Sequence, residues 1–324
     1  MQTTVAGNYP KIPNRPRPAR LRNAINKRDR AEMSDEELAL VYDEVTIEVI
    51  QEQIEAGIDV ITDGQVRWDD DQTYIMRRLK GVEIGSLERY MDTNTYYRQP
   101  EIRGPVAWQA PFLVRDFEFA QANSSRPVKA IITGPYTLAA LALDKHYGSR
   151  EKLALALAAE LRNEVQALAA AGARCIQVND PAICQNKDDI SIVARALGLM
   201  LEGVDAETGV YTWFGDASGI LPALLDTPAA VIGLDFVSGK GNWEAVQSTR
   251  FEKKLGFGIV DGRNTRLETP EEVAAAVKRV TEFVPAERLY VNPSCGLEYV
   301  PRETAFEKLR NLVEGARLVA AVPA

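Results

Sequence analysis

Eight short runs of β-branched or apolar residues constrain this chain more than any other feature. They read TTVAG (3–7), IDVITD (58–63), VKAIITG (128–134), RCIQVND (174–180), GVYTWF (209–214), VIGLDF (231–236), GFGIVDG (256–262) and LYVNPS (289–294). Helical stretches lie between most of them. In SREKLALALAAELRNEVQALAAAG (149–172) the leucines and alanines recur at three- and four-residue steps and the pattern stops at Gly172. In TPEEVAAAVKRVTEF (269–283) Thr269 is placed as an N-cap, with Glu271 and Glu272 in the first turn, where the helix dipole favours acids. Strand and helix alternating over the whole length imply a parallel sheet, and eight such units predict a single α/β domain, a (β/α)8 TIM barrel spanning 1–324. A doubly wound open sheet competes, but no G-x-G-x-x-G follows the first strand. The stretch 64–127 exceeds one barrel helix and carries RYMDTNTYYRQPEI (89–102), so it is expected to be an insertion between strands 2 and 3, lying over the barrel mouth.

Composition sets the surroundings. The longest apolar runs, such as LALALAAEL (153–161), are far short of a membrane span, and the N-terminus lacks the charged-then-apolar order of a signal peptide. Three cysteines make no disulfide framework, and the expectation is a cytoplasmic protein. A net charge of -8 argues against a nucleic-acid partner. The charge is uneven, because residues 1–30 carry Lys11, Arg15, Arg17, Arg20, Arg22, Lys27, Arg28 and Arg30 against the single acid Asp29. Such a segment suits an anion, or serves simply as a solvated, proline-broken arm.

In barrels of this type the reacting groups sit at the carboxyl ends of the strands. Those positions hold Gly7 and Asn8, Asp63 and Gln65, Gly134 to Thr137, Asn179 and Asp180, Trp213 and Asp216, Asp235, Asp261 and Arg263, and Asn292 and Cys295. The rim is polar and rich in acids. A strand-end aspartate also has an ordinary use as a helix cap, and a Gly-Pro pair as a turn.

The motifs GNYPKI, GPYTL (134–138), AGARCIQVNDPAI (171–183), GIVDGRN (258–264) and NPSCGLEYVP (292–301) resemble, in order and spacing, the cobalamin-independent methionine synthase family. Full-length members are two similar barrels in tandem, and this chain has the length of one. The resemblance implies methyl transfer from a methyl-folate co-substrate, or from a corrinoid carrier, to homocysteine or a related thiol. The family's catalytic barrel binds zinc through a His-x-Cys pair, a glutamate and a last-strand cysteine, so that the metal lowers the thiol pKa. Here the last cysteine matches Cys295, but the His-x-Cys region reads YTWFGDASG, giving Trp213 and Gly215, and the glutamate position holds Asp235. Asp235 and Cys295 are thus the catalytic and metal candidates, with Asp216 and Cys184 as further donors. His146 lies far from them, Cys175 is expected to be packing, and a degraded or absent zinc site is expected.

Several stretches, TWFGDAS, GLDFVSG and MDTNTYY among them, resemble the family's zinc-free amino-terminal barrel instead. That likeness implies a folate polyglutamate tail held by Arg17, Arg20 and Arg22. It also raises an alternative, a non-catalytic folate-binding partner of a separately encoded zinc-bearing barrel. By resemblance the amino-acid pocket maps to the backbone of Ala6, Gly7 and Asn8 for the carboxylate and to Asp180 for the ammonium, where the family usually has glutamate. Asp63 completes the expected substrate contacts.

Overall fold

In the computed structural model, which describes residues 1–15 and 19–320, the eight runs gather into one parallel sheet that curls on itself. Seven of them are strands, in the spatial order Gln2–Thr3, Leu289–Pro293, Lys254–Val260, Val231–Asp235, Glu207–Tyr211, Cys175–Asn179 and Lys129–Thr133. The eighth is reduced to Val60 and Ile61, which bridge Thr4 on one side and Val128 on the other and so close the ring. The fold is the (β/α)8 barrel.

The second strand is short for a local reason. Gln53, fully buried in the last turn of helix Asp35–Glu55, donates to the Thr62 carbonyl at 3.0 Å and accepts the Thr62 N–H at 3.0 Å. Its side-chain amide takes the main-chain groups that a longer strand would offer to its neighbours. The helices follow the sequence pattern more closely. Helix Arg150–Ala170 starts at Ser149, whose hydroxyl accepts from the Lys152 N–H, and ends ahead of Gly172 at φ +93°. Helix Pro270–Thr281 opens on a reciprocal capping box between Thr269 and Glu272.

Inside the barrel the Tyr211 ring lies against two strand glycines. A Cβ on Gly233 would meet the ring at 2.1 Å, and one on Gly256 would meet it at 2.7 Å. Glycine at these positions makes the space that the ring fills.

Between Ile61 and Val128 the chain forms a short helix Thr73–Met76, an antiparallel pair Lys80–Arg89 and Tyr96–Ala107, and a helix Val114–Ala122. The tip of the pair touches the loops at the carboxyl end of the barrel. Tyr90 packs edge-on against Phe214 with ring centres 6.5 Å apart, and the Arg263 guanidinium donates to the Asp92 carbonyl at 2.8 Å. The base is tied down by Glu164, fully buried on helix Arg150–Ala170, which accepts from Trp108 Nε1 at 2.7 Å and from the Leu113 N–H at 2.6 Å. Among the described residues no helix is long and apolar enough to cross a membrane.

Gly233→Ala is expected to lower stability by about 1–3 kcal/mol through overpacking against Tyr211. The check is a denaturant titration, and a midpoint equal to that of the parent would mean that the ring moves aside freely.

Candidate active site

A cleft of about 500 Å³ opens at the carboxyl ends of the strands. One wall is the segment Asn8 to Ile12 after the first strand, and a second is Gln65 with Trp68 to Gln72 after the short second strand. Tyr90, Thr95, Tyr96 and Tyr97 come from the hairpin, and Glu298 to Pro301 from the loop after the last strand. Asp71 sits among them, its Oδ1 accepting from Asn8 Nδ2 at 2.9 Å and from Gln65 Nε2 at 3.3 Å. Burial pushes the Asp71 carboxyl up to about 6, against the pull of the Asn8 donor. Lys11 donates its ammonium to the Trp68 carbonyl. Burial lowers its pKa from the ordinary lysine value, while Asp69, Asp71, Asp70 and Glu298 draw it back up.

Glu298 is the most perturbed acid of the cleft. Burial, followed by the charge of Asp71, pushes its carboxyl up to about 8. The side chain folds back over Gly296, where a Cβ would meet Glu298 Oε2 at 2.1 Å, so glycine is needed for that pose. Among the described residues Glu298 Oε2, Gln65 Oε1, Gln72 Nε2 and Trp68 Nε1 are buried without a hydrogen-bond partner. Buried polar atoms are nearly always paired. Two acceptors and two donors left open on the residues of one cleft mark a place that a ligand with both kinds of group would complete.

The residues singled out from sequence are distributed unevenly about this cleft. Asn8 lines it, and the Ala6 and Gly7 backbone leads into it. Asp63 instead lines a small cavity with Asp116, Phe117 and Trp68; burial and then the Asp116 charge push its carboxyl up to about 7. Asp180 is fully buried and holds the start of helix Pro135–Leu141. Its Oδ1 accepts from the Thr137 N–H and Thr137 Oγ1, both at 2.6 Å. Burial raises it to about 6 while those donors pull the other way. A Cβ on Gly134 would meet Asp180 Cγ at 2.3 Å, so glycine there is what lets the carboxylate reach the helix.

Asp235 is likewise fully buried and held by main-chain donors. Its Oδ1 accepts the Val237 and Ser238 N–H groups, each at 2.9 Å, and its Oδ2 the Phe214 N–H at 3.1 Å. Cys295 is buried in an apolar cluster that includes Trp213 and Tyr211, and its thiol donates to the Gly296 carbonyl at 3.3 Å. Burial, with Glu298 and Asp235 adding, raises the thiol well above its ordinary value, so it rests protonated. Asp216 pairs with Lys187 at 2.7 Å, and Cys184 is buried against Gly215. Among the described residues no group of three or more His, Cys, Asp or Glu side chains is placed to hold a metal ion. With Trp213 and Gly215 offering no donor and the oxygens of Asp235 accepting main-chain N–H groups, the residues present do not make the closed tetrahedral set that zinc takes.

Of the basic arm, Arg22 is exposed and lines the cleft, whereas Arg20 pairs with Glu44 at 2.9 Å and with Glu48. Arg17 lies outside the described residues. His146 stacks edge-on with Tyr147, and Cys175 is part-buried beside Glu207. The strand-end reading does not reach Asp71, Gln72, Glu298, Trp68 or the hairpin tyrosines. Signals for two of them were present: three consecutive acids in RWDDDQTY, and an acid three residues beyond Cys295 in a loop rich in glycine and proline.

A (β/α)8 barrel with a polar, incompletely satisfied cleft at its strand carboxyl ends, lined in part by a hairpin, has the form of the barrels that bind small molecules there. The family model for the cobalamin-independent synthase catalytic domain matches residues 1–318, and this chain belongs to the cobalamin-independent methionine synthase family. It is the catalytic-domain model that matches, although several stretches resemble the amino-terminal barrel. A methionine synthase of Saccharolobus solfataricus is 34% identical over 323 residues, 98% of this chain and 95% of that protein. That of Sulfurisphaera tokodaii is 35% identical over 321 residues, 98% and 92% of the two chains. A B12-independent methionine synthase from Shewanella sp. W3-18-1, solved in complex with selenomethionine, superposes with a TM-score of 0.85 at 27% identity, covering 98% and 97%. A putative B12-independent methionine synthase from Listeria monocytogenes shares the fold, with a TM-score of 0.75 at 20% identity over 98% and 99% of the chains.

The Glu298 carboxyl gives a pH signature. Its folded pKa, about 8, lies above the ordinary 4.5, so between these values the folded chain binds the extra proton. Its contribution is therefore fully present below pH 4.5 and is lost as pH rises through 8. Relative to the parent, Glu298→Gln should gain stability steadily across that window, by at least about 1 kcal/mol, and level off above it. Paired denaturant titrations at several pH values test this, and a difference that does not change with pH would sink it.

Proposed function

We propose that this chain transfers a methyl group from a methyl-folate to homocysteine, both bound in the cleft, and that it does so without zinc at Cys295 and Asp235. The observation that carries the reading is the unpartnered Oε2 of Glu298 in the cleft of a methionine-synthase-family barrel. Burial pushes the Glu298 carboxyl up to about 8, so it is ionised in only a minority of molecules at neutral pH, and in that ionised form it is matched to a thiol as a proton acceptor. The thiol proton passes to Glu298, and the thiolate attacks the methyl carbon. The C–S bond forms as the C–N bond breaks, and Glu298 returns the proton to the leaving nitrogen. The Ala6–Asn8 backbone receives the amino-acid carboxylate. Asp71, which lines the cleft, is the residue to receive the ammonium, a task for which Asp180 is less open because its oxygens already accept from Thr137 and Tyr136.

Glu298→Gln should lower methionine formation by about a hundredfold, the usual effect of losing a general base. Cys295→Ser should leave it within about threefold, since a buried, protonated thiol touches no substrate. Stoichiometric zinc that survives a chelator, together with activity that Cys295→Ser abolishes, would falsify the metal-free reading. The committed state of Cys295 and Asp235 also favours a second reading, a folate-binding partner of a separate zinc-bearing barrel. Activity that arises only on mixing with such a barrel would select it.

Arg22, exposed on the cleft rim, is the residue for the folate polyglutamate tail; Arg20 is already paired with two glutamates. Arg22→Ala should weaken triglutamyl-folate binding several-fold, and the loss should shrink as salt is added, while Arg20→Ala changes it little. Equal affinity for mono- and triglutamyl forms in the parent chain would remove the tail site.

A further inference from the structure

Three consecutive main-chain carbonyls beyond the first strand are each held by a side chain from another part of the barrel wall. Lys129 Nζ donates to the Val5 carbonyl at 2.7 Å, Gln177 Nε2 to that of Ala6 at 2.7 Å, and Thr62 Oγ1 to that of Gly7 at 3.0 Å. The three side chains belong to residues on the third, fourth and second barrel strands or their ends, and their residues are 6%, 1% and 0% exposed. Lys129 is an unusual interior choice. Burial lowers its pKa to about 7, and its ammonium stands 4.9 Å over the Tyr211 ring. A buried amine is costly unless its hydrogen bond does something that an apolar side chain could not.

In a trans peptide the N–H points away from the C=O. Pinning the Val5, Ala6 and Gly7 carbonyls to these side chains therefore turns the N–H groups of Ala6, Gly7 and Asn8 away from them. Among the described residues those three N–H groups donate no hydrogen bond, although Ala6 and Gly7 are buried. Buried N–H donors are rarely left without an acceptor. Gly7, at φ +137°, adopts a backbone that a side chain would strain, and a Cβ there would meet Gln65 Oε1 at 2.5 Å. A run of open N–H groups is a concavity suited to an anion.

We infer that Lys129, Gln177 and Thr62 are positioning residues that aim the Ala6–Asn8 N–H groups at the carboxylate of an amino-acid substrate, an inference that rests on the substrate reading above. None of the three touches the ligand itself; each acts through the peptide it holds.

The test is calorimetric titration of the full chain with L-methionine and with its decarboxylated analogue, 3-(methylthio)propylamine. Thr62→Val, close to isosteric, should weaken L-methionine by about tenfold, the range of one hydrogen bond to a charged group, and leave the amine within about twofold. Lys129→Met and Gln177→Leu should do the same, and Thr62→Ser should restore parental affinity for both ligands. Equal losses for the two ligands would mean general loosening and would overturn the inference, as would parental L-methionine affinity in Thr62→Val. A parent chain that binds neither ligand removes the substrate reading, and this inference with it, whereas parental binding that the variants leave unchanged removes the inference alone.

Discussion

A carboxylate taken out of water must find donors or give up its charge, and at the ends of these strands the nearest donors are main-chain N–H groups. Asp180 and Asp235 take that course. Each is fully buried, and each is ringed by the N–H groups of an adjoining helix start or turn. That satisfies most of the acceptor capacity of both acids and fixes the loops. Glu298 takes the other course. Its Oε2 finds no partner, and the group keeps its proton to about pH 8. The chemistry of the cleft follows from this division between acids that hold the scaffold and one that is left unsatisfied.

The scaffold side of the division also explains how a barrel can carry so polar an end. Glu164 anchors the base of the hairpin through three residues of one segment, Trp108, Phe112 and Leu113, and Asp180 anchors the helix after the third strand. These buried acids do work that loops cannot do by packing, because loop main chains must be hydrogen-bonded wherever they are covered. With the loops fixed, Tyr90, Phe214 and Tyr299 form linked ring contacts, with Phe214 and Tyr299 packed against the buried cluster that holds Cys295.

The barrel was legible because strand period, helix period and length all converge on it; all eight runs fall on the wall, and Thr269 and Gly172 mark helix limits by mechanisms that act within a few residues. Site roles were less legible, because an aspartate at a strand end reads the same whether it faces a ligand or caps a helix. What decides between these for Asp180 is Gly134, forty-six residues away, whose missing side chain gives the carboxylate room to reach the Thr137 N–H. Likewise Asp63 shares a small cavity with Asp116 of helix Val114–Ala122, a proximity that no local pattern encodes. Glu298 and Asp71 become one site only through the closure of the ring, which brings the loop after the last strand beside the loop after the second. Their placement is a property of topology rather than of any motif.

That closure is thin. Most neighbouring strands in the wall share five paired residues, but at Val60 and Ile61 the strand pairing is a single bridge on either side, supplemented by the Gln53 clamp and by side-chain bonds such as Thr4 Oγ1 to the Val60 carbonyl and Thr62 Oγ1 to the Gly7 carbonyl. Local opening costs least where the fewest main-chain bonds must break. The segments that leave this seam, Asn8 to Ile12 and Gln65 to Gln72, are two walls of the cleft. A small molecule that grips both walls is therefore also a stitch across the weakest joint of the cylinder, so that filling the cleft and stiffening the barrel are one event.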